Sequence, residues 1–392
     1  MAVLSARPVP EDAAPAPERL LFLTGTMGEG HNVAARALEE EAGRIWPRCV
    51  VGTRDVLELM GPGAGTSLRG TYVTNVQTTP WLYELFFSSL HRMRWFARAS
   101  NRVVGTWAAM GLADEIAAFQ PDLIVSTYHV ASAALAMLRR RGELAVPAAT
   151  WVTDFAPHPL WMFAEADLTF VLHEASAAVA RAVEPAARVR VAAPPVGDAF
   201  TPGDRRAARR GLGWAAGEYV LLLSAGSCGF GEIDPTVDAM LGADDDARVV
   251  VVCGRNARLA ERLRGRGLPG DRLTVLGWVD DMPAYLRAAD VVVTNAGGST
   301  VLEALACGRA VVTYRPIAAH GTANSALLAR AGLARYPAGE REFAGILREL
   351  RAPTARARYE RAAHAYATTH HRADDLRALA GDLLTPDHRE AG

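Results

Sequence analysis

Strand-length apolar runs alternate with stretches of helical periodicity along most of the chain. LLFLT at 20–24, residues 49–54, DLIVS at 122–126, 147–152 and 167–171 read as strands. Helices are expected near 32–44, 112–119, 129–141 and 174–183. This alternation is the signature of βαβ units and a parallel sheet, whose strands are covered on both faces. A stretch without strands, 61–107, interrupts the series. A basic, turn-rich segment, TPGDRRAARRGLG at 201–213, reads as a linker. A second series then begins, with strands near 219–224, 249–253, 273–276, 290–294 and 310–313, each followed by a helical stretch. The expected fold is α/β, with two doubly wound, Rossmann-like domains facing each other across a cleft. The divisions expected are a loose tail at 1–17, a first domain at 18–198, a second at 199–365, and a C-terminal helix and tail at 366–392 packing back on the first. Ligands of such folds bind at the carboxyl ends of the strands.

Composition narrows the chemistry. The 392 residues exceed a typical single core, which favours two domains. A net charge of −1 argues against nucleic acid as a partner. All 42 basic residues are arginine, so Schiff-base chemistry and a P-loop lysine are excluded. Cys49, Cys228, Cys253 and Cys307 lie far apart, and no histidine stands at metal-ligand spacing from them. No metal site and no disulfide framework is expected, and a reducing cytoplasm fits. The longest apolar runs, such as VVVVC at 249–253, are far too short to span a membrane.

Glycine-rich loops follow several strands. TGTMGEGH brings Gly28, Gly30 and His31 to the start of a helix, where backbone amides suit an anion or a closely approaching substrate. His31 has the intrinsic pKa of a general base, and equally the position of a cap. WVTDFAPHPLW at 151–161 places Asp154 and His158 in a loop that Pro157 and Pro159 keep from being helical. TNAGGSTVLEAL at 294–305 turns through Gly297 and Gly298 into a helix with Ser299 and Thr300 as expected N-caps. Its amides suit a phosphate. Glu303, one turn on, is placed either to accept hydrogen bonds from a ribose diol or to complete a capping box with Thr300. SAGSCGFGE at 224–232 and CGRN at 253–256 add two further glycine loops.

The segment PWLYELFFSSLHRMRWFARASNRV, 80–103, differs in character. On one helical wheel Phe86, Leu90, Met93 and Ala97 share a face, beside a stripe of Arg94, Arg98 and Arg102. This pattern suits either a helix bedded in a membrane interface, its arginines on anionic headgroups, or a core helix with a solvated face.

Taken in order, MGEGH, VTDFAPHPLW, CGRN, GWVDDMPAYLRAADVVVTNAGGSTVLEAL and HGTAN make residues 19–335 resemble the monogalactosyldiacylglycerol synthases and processive diacylglycerol glucosyltransferases. A more distant likeness is to the peptidoglycan lipid-intermediate N-acetylglucosaminyltransferase. The resemblance implies a GT-B fold and an inverting, metal-independent transfer from a nucleotide sugar, most often a UDP-sugar, to a hydrophobic, diacylglycerol-like acceptor. It implies no cofactor beyond the nucleotide sugar. The first domain would hold the acceptor through Gly28, Gly30, His158, Phe86 and Trp95. The second would hold the donor through Gly226, Ser227, Arg255, Asn256, Val279, Gly297, Gly298, Ser299, Thr300, Glu303, His320 and Asn324. His31 and Asp154 compete as the base, and the reading adopted is His31 as base with Asp154 as its partner. The protein is expected in the cytoplasm, at the inner face of an anionic membrane. One departure matters: where the galactolipid synthases carry PGQExGN this chain has AAHGTAN, so a Gln–Glu pair becomes His320 and Gly321. Tailoring of a soluble natural product and sugar-nucleotide epimerisation are the alternative readings.

Overall fold

The computed structural model describes residues 15–385, apart from the side chains of residues 72, 73, 76, 77 and 80. The expected N-terminal tail lies outside it up to residue 14, and so do residues 386–392. The first domain holds a parallel six-stranded sheet of β1 (Arg19–Thr24), β2 (Val50–Asp55), β3 (Leu123–Ser126), β4 (Ala148–Trp151), β5 (Leu168–Val171) and β6 (Val189–Val191), in the order β2-β1-β3-β4-β5-β6. The second holds a parallel five-stranded sheet of β7 (Tyr219–Ser224), β8 (Ala247–Val252), β9 (Leu273–Leu276), β10 (Val291–Thr294) and β11 (Ala310–Thr313), in the order β11-β10-β7-β8-β9.

Chain direction reverses its progress across the first sheet between β1 and β3, and across the second between β7 and β10. Such switch points leave a crevice beyond the strand ends. There the loops after β1, β3, β7 and β10 converge. The strands are apolar on both faces because helices cover both: Leu21 and Leu23 pack with Leu112 and Leu138, whereas Leu20 and Phe22 pack with Leu38 and Trp151.

The structure departs from the sequence reading in several places. Residues 201–213 are no free linker: Asp204 caps a helix, Arg205–Gly211, and Arg209 is buried. The Arg209 guanidinium bonds Asp290 Oδ2 at 2.5 Å and the carbonyls of Ala288, Ala216 and Glu218 at 2.8–2.9 Å. A charged residue reads as a surface residue until its distant partner is known. β6 is a short edge strand, VRV, with no sequence signal of its own. The segment 80–103 is two helices, Pro80–Arg92 and Arg94–Phe119, broken at extended Met93 with φ −122° and ψ 92°. The C-terminal helix Arg372–Leu384 inserts Leu376, Leu379 and Leu383 among Phe22, Leu38 and Trp46 of the first domain.

Candidate active site

The β1 strand delivers TGTMGEGH to the crevice. Gly25 is required there, because a Cβ would stand 2.2 Å from the Tyr128 ring. The helix Glu29–Ile45 starts at Glu29 with Gly28 as cap, so His31 lies within its first turn, not ahead of it. His31 Nδ1 is 2.9 Å from the carbonyl oxygen of Thr127, at the end of β3, and 3.0 Å from Thr153 Oγ1. A carbonyl only accepts, so Nδ1 carries the hydrogen and Nε2 is the basic nitrogen. Burial lowers the His31 pKa, and the charge of Asp154 opposes that shift. His31 is therefore neutral at pH 7.

Asp154 is not hydrogen-bonded to His31 among the described residues. Its Oδ2 accepts the Trp161 indole N–H at 2.7 Å and stands 3.5 Å from His158 Nε2. Its Oδ1 accepts the Asn324 amide at 2.9 Å. Burial pushes the Asp154 pKa up, but the hydrogen bonds from His158 and Asn324 outweigh it and hold the carboxyl well below the usual range. Any effect of Asp154 on His31 is thus through space: the charge of a carboxylate engaged elsewhere opposes the burial-driven fall of the His31 pKa. His129, packed edge-on to His158 with centroids 5.7 Å apart, stays neutral because burial drives its pKa well down. Trp161 closes the quoted motif WVTDFAPHPLW, but no sequence motif pointed to His129. The signal available for His129 was its place just past the end of β3, where loops carry chemistry.

His31 lines a cavity of about 230 Å³ together with Gly28, Gly30, Asp154, Gly226, Ser227, Gly297, Gly298, Ser299, Thr300 and His320. Both domains contribute. Gly298, not Ser299 or Thr300, is the cap of the helix Ser299–Ala306, so both hydroxyl residues stand in its first turn, where amides are unpaired and the dipole is positive. Gly297 permits this turn: a Cβ would lie 2.3 Å from Asn324 Cβ. An adjoining cavity of about 330 Å³ is lined by Gly226, Ser227, Trp278, Val279, Thr300 and Glu303. The Gly298 cap lacks any side-chain hydrogen bond, which removes the capping-box reading of Glu303. Burial instead raises the Glu303 pKa to about 7. Beside this cavity Arg255 stacks 3.9 Å over Trp278 and pairs with Glu29 Oε1 at 2.8 Å, bridging the two domains.

Residues 31–195 match the monogalactosyldiacylglycerol (MGDG) synthase family, and residues 232–350 match the family described as glycosyl transferases group 1. The chain is 26% identical over 306 residues to the processive diacylglycerol beta-glucosyltransferase of Bacillus subtilis (strain 168), spanning 76% of this chain and 78% of that protein. In structure it is similar to Anabaena HepE in complex with UDP-glucose, with TM-score 0.55 and 15% identity over 93% of this chain and 99% of the other. It is equally similar to MurG of Acinetobacter baumannii, with TM-score 0.55 and 14% identity over 92% and 98%. The chain is a glycosyltransferase of the GT-B fold.

Not every residue singled out from the sequence faces the glycosyltransferase cavities. Asn256 caps the helix Ala257–Arg264, its Oδ1 accepting the Leu259 amide at 3.0 Å, and its amide holds Gly229 O at 3.1 Å. Asn324, instead of lining a cavity, is buried and joins the domains, accepting the Ala156 N–H at 2.6 Å while bonding Asp154. His158 is buried behind Asp154. Phe86 and Trp95 are exposed, Trp95 at 68%, together with Trp81 at 67% and Leu85 at 56%. Phe87, Leu90 and Ala97 take the buried side. Trp95, Arg94, Arg98 and Arg102 line a groove of about 980 Å³ against Pro159, Met162 and Val183. No ion pair engages these three arginines among the described residues. No helix among the described residues is long and apolar enough to cross a membrane.

Proposed function

We propose that this glycosyltransferase moves a sugar from a UDP-sugar to a hydroxyl of a diacylglycerol-like lipid, with inversion at the anomeric carbon and without metal or cofactor. The observation that carries the reading is the shared cavity. On one wall stands a neutral imidazole whose tautomer is fixed by the Thr127 carbonyl, and on another the amide-rich start of the helix Ser299–Ala306. In this arrangement the acceptor hydroxyl attacks the anomeric carbon from the His31 side. Nε2 of His31 takes the hydroxyl proton as the new carbon–oxygen bond forms, and Asp154 stabilises the resulting imidazolium. The bond to the diphosphate breaks on the opposite face. Amides and hydroxyls at Gly298, Ser299 and Thr300 stabilise the charge that the leaving diphosphate gains. The ribose diol hydrogen-bonds Glu303, and the base lies beside Trp278 and Val279.

The lipid acceptor is supported by the relatives' names and by the exposed aromatic face beside the groove that carries Arg94, Arg98 and Arg102. Such a face suits bedding Trp81, Phe86 and Trp95 among lipid chains while arginines meet anionic headgroups, which supports the reading of an enzyme working at the inner face of the membrane. The test is product analysis with UDP-glucose, diacylglycerol vesicles and a chelator. The reading predicts a β-linked glycolipid formed equally with and without chelator. Transfer to soluble acceptors alone, or epimerised nucleotide sugar without transfer, replaces it with the corresponding alternative.

A further inference from the structure

Two neighbouring side chains of the aromatic helix Pro80–Arg92 reach across the cleft to two neighbouring residues of the second domain. The Tyr83 hydroxyl is 3.1 Å from His320 Nδ1, and Glu84 Oε2 accepts the backbone N–H of Ala319 at 2.5 Å. Ala319 has φ 69° and ψ −107°, a backbone conformation that favours glycine, so this turn persists only because its surroundings hold it. Those surroundings are the Glu84 carboxylate and the packing of Ala319 against Phe87, Leu90 and Ala97 of the aromatic helices. The turn ends at His320, which lines the cavity of His31 and Gly297. Burial lowers the His320 pKa, which leaves its imidazole neutral, with a single N–H to place.

We propose that Tyr83 and Glu84 are positioning residues for the transferred sugar, acting through His320 and Ala319. The proposal rests on the reading above that the 230 Å³ cavity holds the sugar diphosphate. Tyr83 donates its O–H to His320 Nδ1, which puts the ring hydrogen on Nε2, where it donates to a sugar hydroxyl oxygen. Glu84 fixes the turn that aims the ring. The first domain thus completes the sugar pocket of the second, and the residues that do so belong to the helix that also presents Trp81 and Phe86 outward.

The test is isothermal titration with UDP and with UDP-glucose on the full chain, using Tyr83→Phe, Glu84→Gln and His320→Ala. Each loses a neutral or charge-assisted hydrogen bond at the sugar end, so UDP-glucose affinity falls about 5- to 20-fold while UDP affinity stays within about twofold. Tyr83→Phe adds nothing further in a His320→Ala background, because the pair acts as one unit. Equal losses for UDP and UDP-glucose, full retention of UDP-glucose affinity, or additive losses in the double variant overturn the proposal. An unaltered protein that binds no UDP-sugar overturns the functional reading as well, whereas sugar binding kept in full by Tyr83→Phe overturns this inference alone. Unchanged melting temperatures of the two conservative variants separate positioning from folding.

Discussion

The side-chain amide of Asn324 donates to Asp154 Oδ1 at 2.9 Å, joining residues 170 positions apart across the cleft. This contact is one of several that join the two domains, and it engages the carboxylate whose charge acts on His31. Asn324→Ala leaves a buried carboxylate oxygen and the Ala156 N–H without their partner. We expect a loss of about 1–3 kcal/mol in stability and at least tenfold in turnover. Thermal melting and steady-state kinetics check both, and full turnover in a folded Asn324→Ala protein excludes the contact from catalysis.

His31→Ala lowers turnover about 100-fold or more, with little change in affinity for UDP-sugar. A base works only when unprotonated, and burial lowers the His31 pKa. The acid limb of the kcat/KM profile therefore lies below the usual histidine value of about 6.5. Asp154 opposes that lowering, so Asp154→Asn moves the limb to still lower pH while reducing turnover. A limb unmoved by Asp154→Asn shows that the carboxylate does not act on His31.

Strands such as LLFLT and VVVVC were legible because burial on both faces leaves only apolar residues, whatever the tertiary context. The glycine loops were legible for a similar local reason. Contacts made across the cleft were not: nothing near Glu29 signals Arg255, and nothing near Tyr83 signals His320. Likewise the Arg94–Met93 break is invisible in sequence, since methionine is a good helix former. Asp154 stands in one short loop motif with its partners His158 and Trp161, whereas its third partner, Asn324, lies 170 positions away and was set by the fold.

If Glu303 holds the nucleotide, as proposed, binding is coupled to pH. Its pKa of about 7 means that acidification protonates the carboxylate to which the proposal assigns the ribose hydroxyls. Affinity for UDP falls as pH drops below about 7 in the native protein and is flat between pH 6 and 8 in Glu303→Gln. The ligand-free stability runs the opposite way. A carboxyl whose folded pKa is raised stabilises the fold below its unfolded value, and that contribution is lost as pH rises through about 7. Glu303→Gln accordingly raises the melting temperature more at pH 8 than at pH 5. Titration calorimetry and melting across this range check both signs, and a pH-independent native affinity removes Glu303 from the nucleotide site.

The aromatic segment makes opposite predictions for its two faces. Trp95→Ala, and joint replacement of Arg94, Arg98 and Arg102, release the protein from anionic vesicles without lowering its melting temperature, because these groups are exposed. Each arginine near the surface contributes about 1 kcal/mol that salt screens away. Phe87→Ala, on the buried face, instead costs about 3–5 kcal/mol of stability. Vesicle sedimentation at low and high salt, paired with melting curves, distinguishes the faces. Retention of the triple variant on anionic vesicles removes the arginines from membrane docking.

The central claim is that a neutral, carbonyl-anchored His31 activates a lipid hydroxyl against a UDP-sugar held by the Gly297–Thr300 turn. It is tested most directly by following labelled glucose from UDP-glucose into diacylglycerol on vesicles, with the native protein and His31→Ala side by side. The account predicts labelled β-glucosyl lipid from the native protein and a rate about 100-fold lower from the variant, while both bind UDP-glucose equally. Equal rates of lipid labelling by the two proteins, or label that never leaves the aqueous phase with the native one, contradict it.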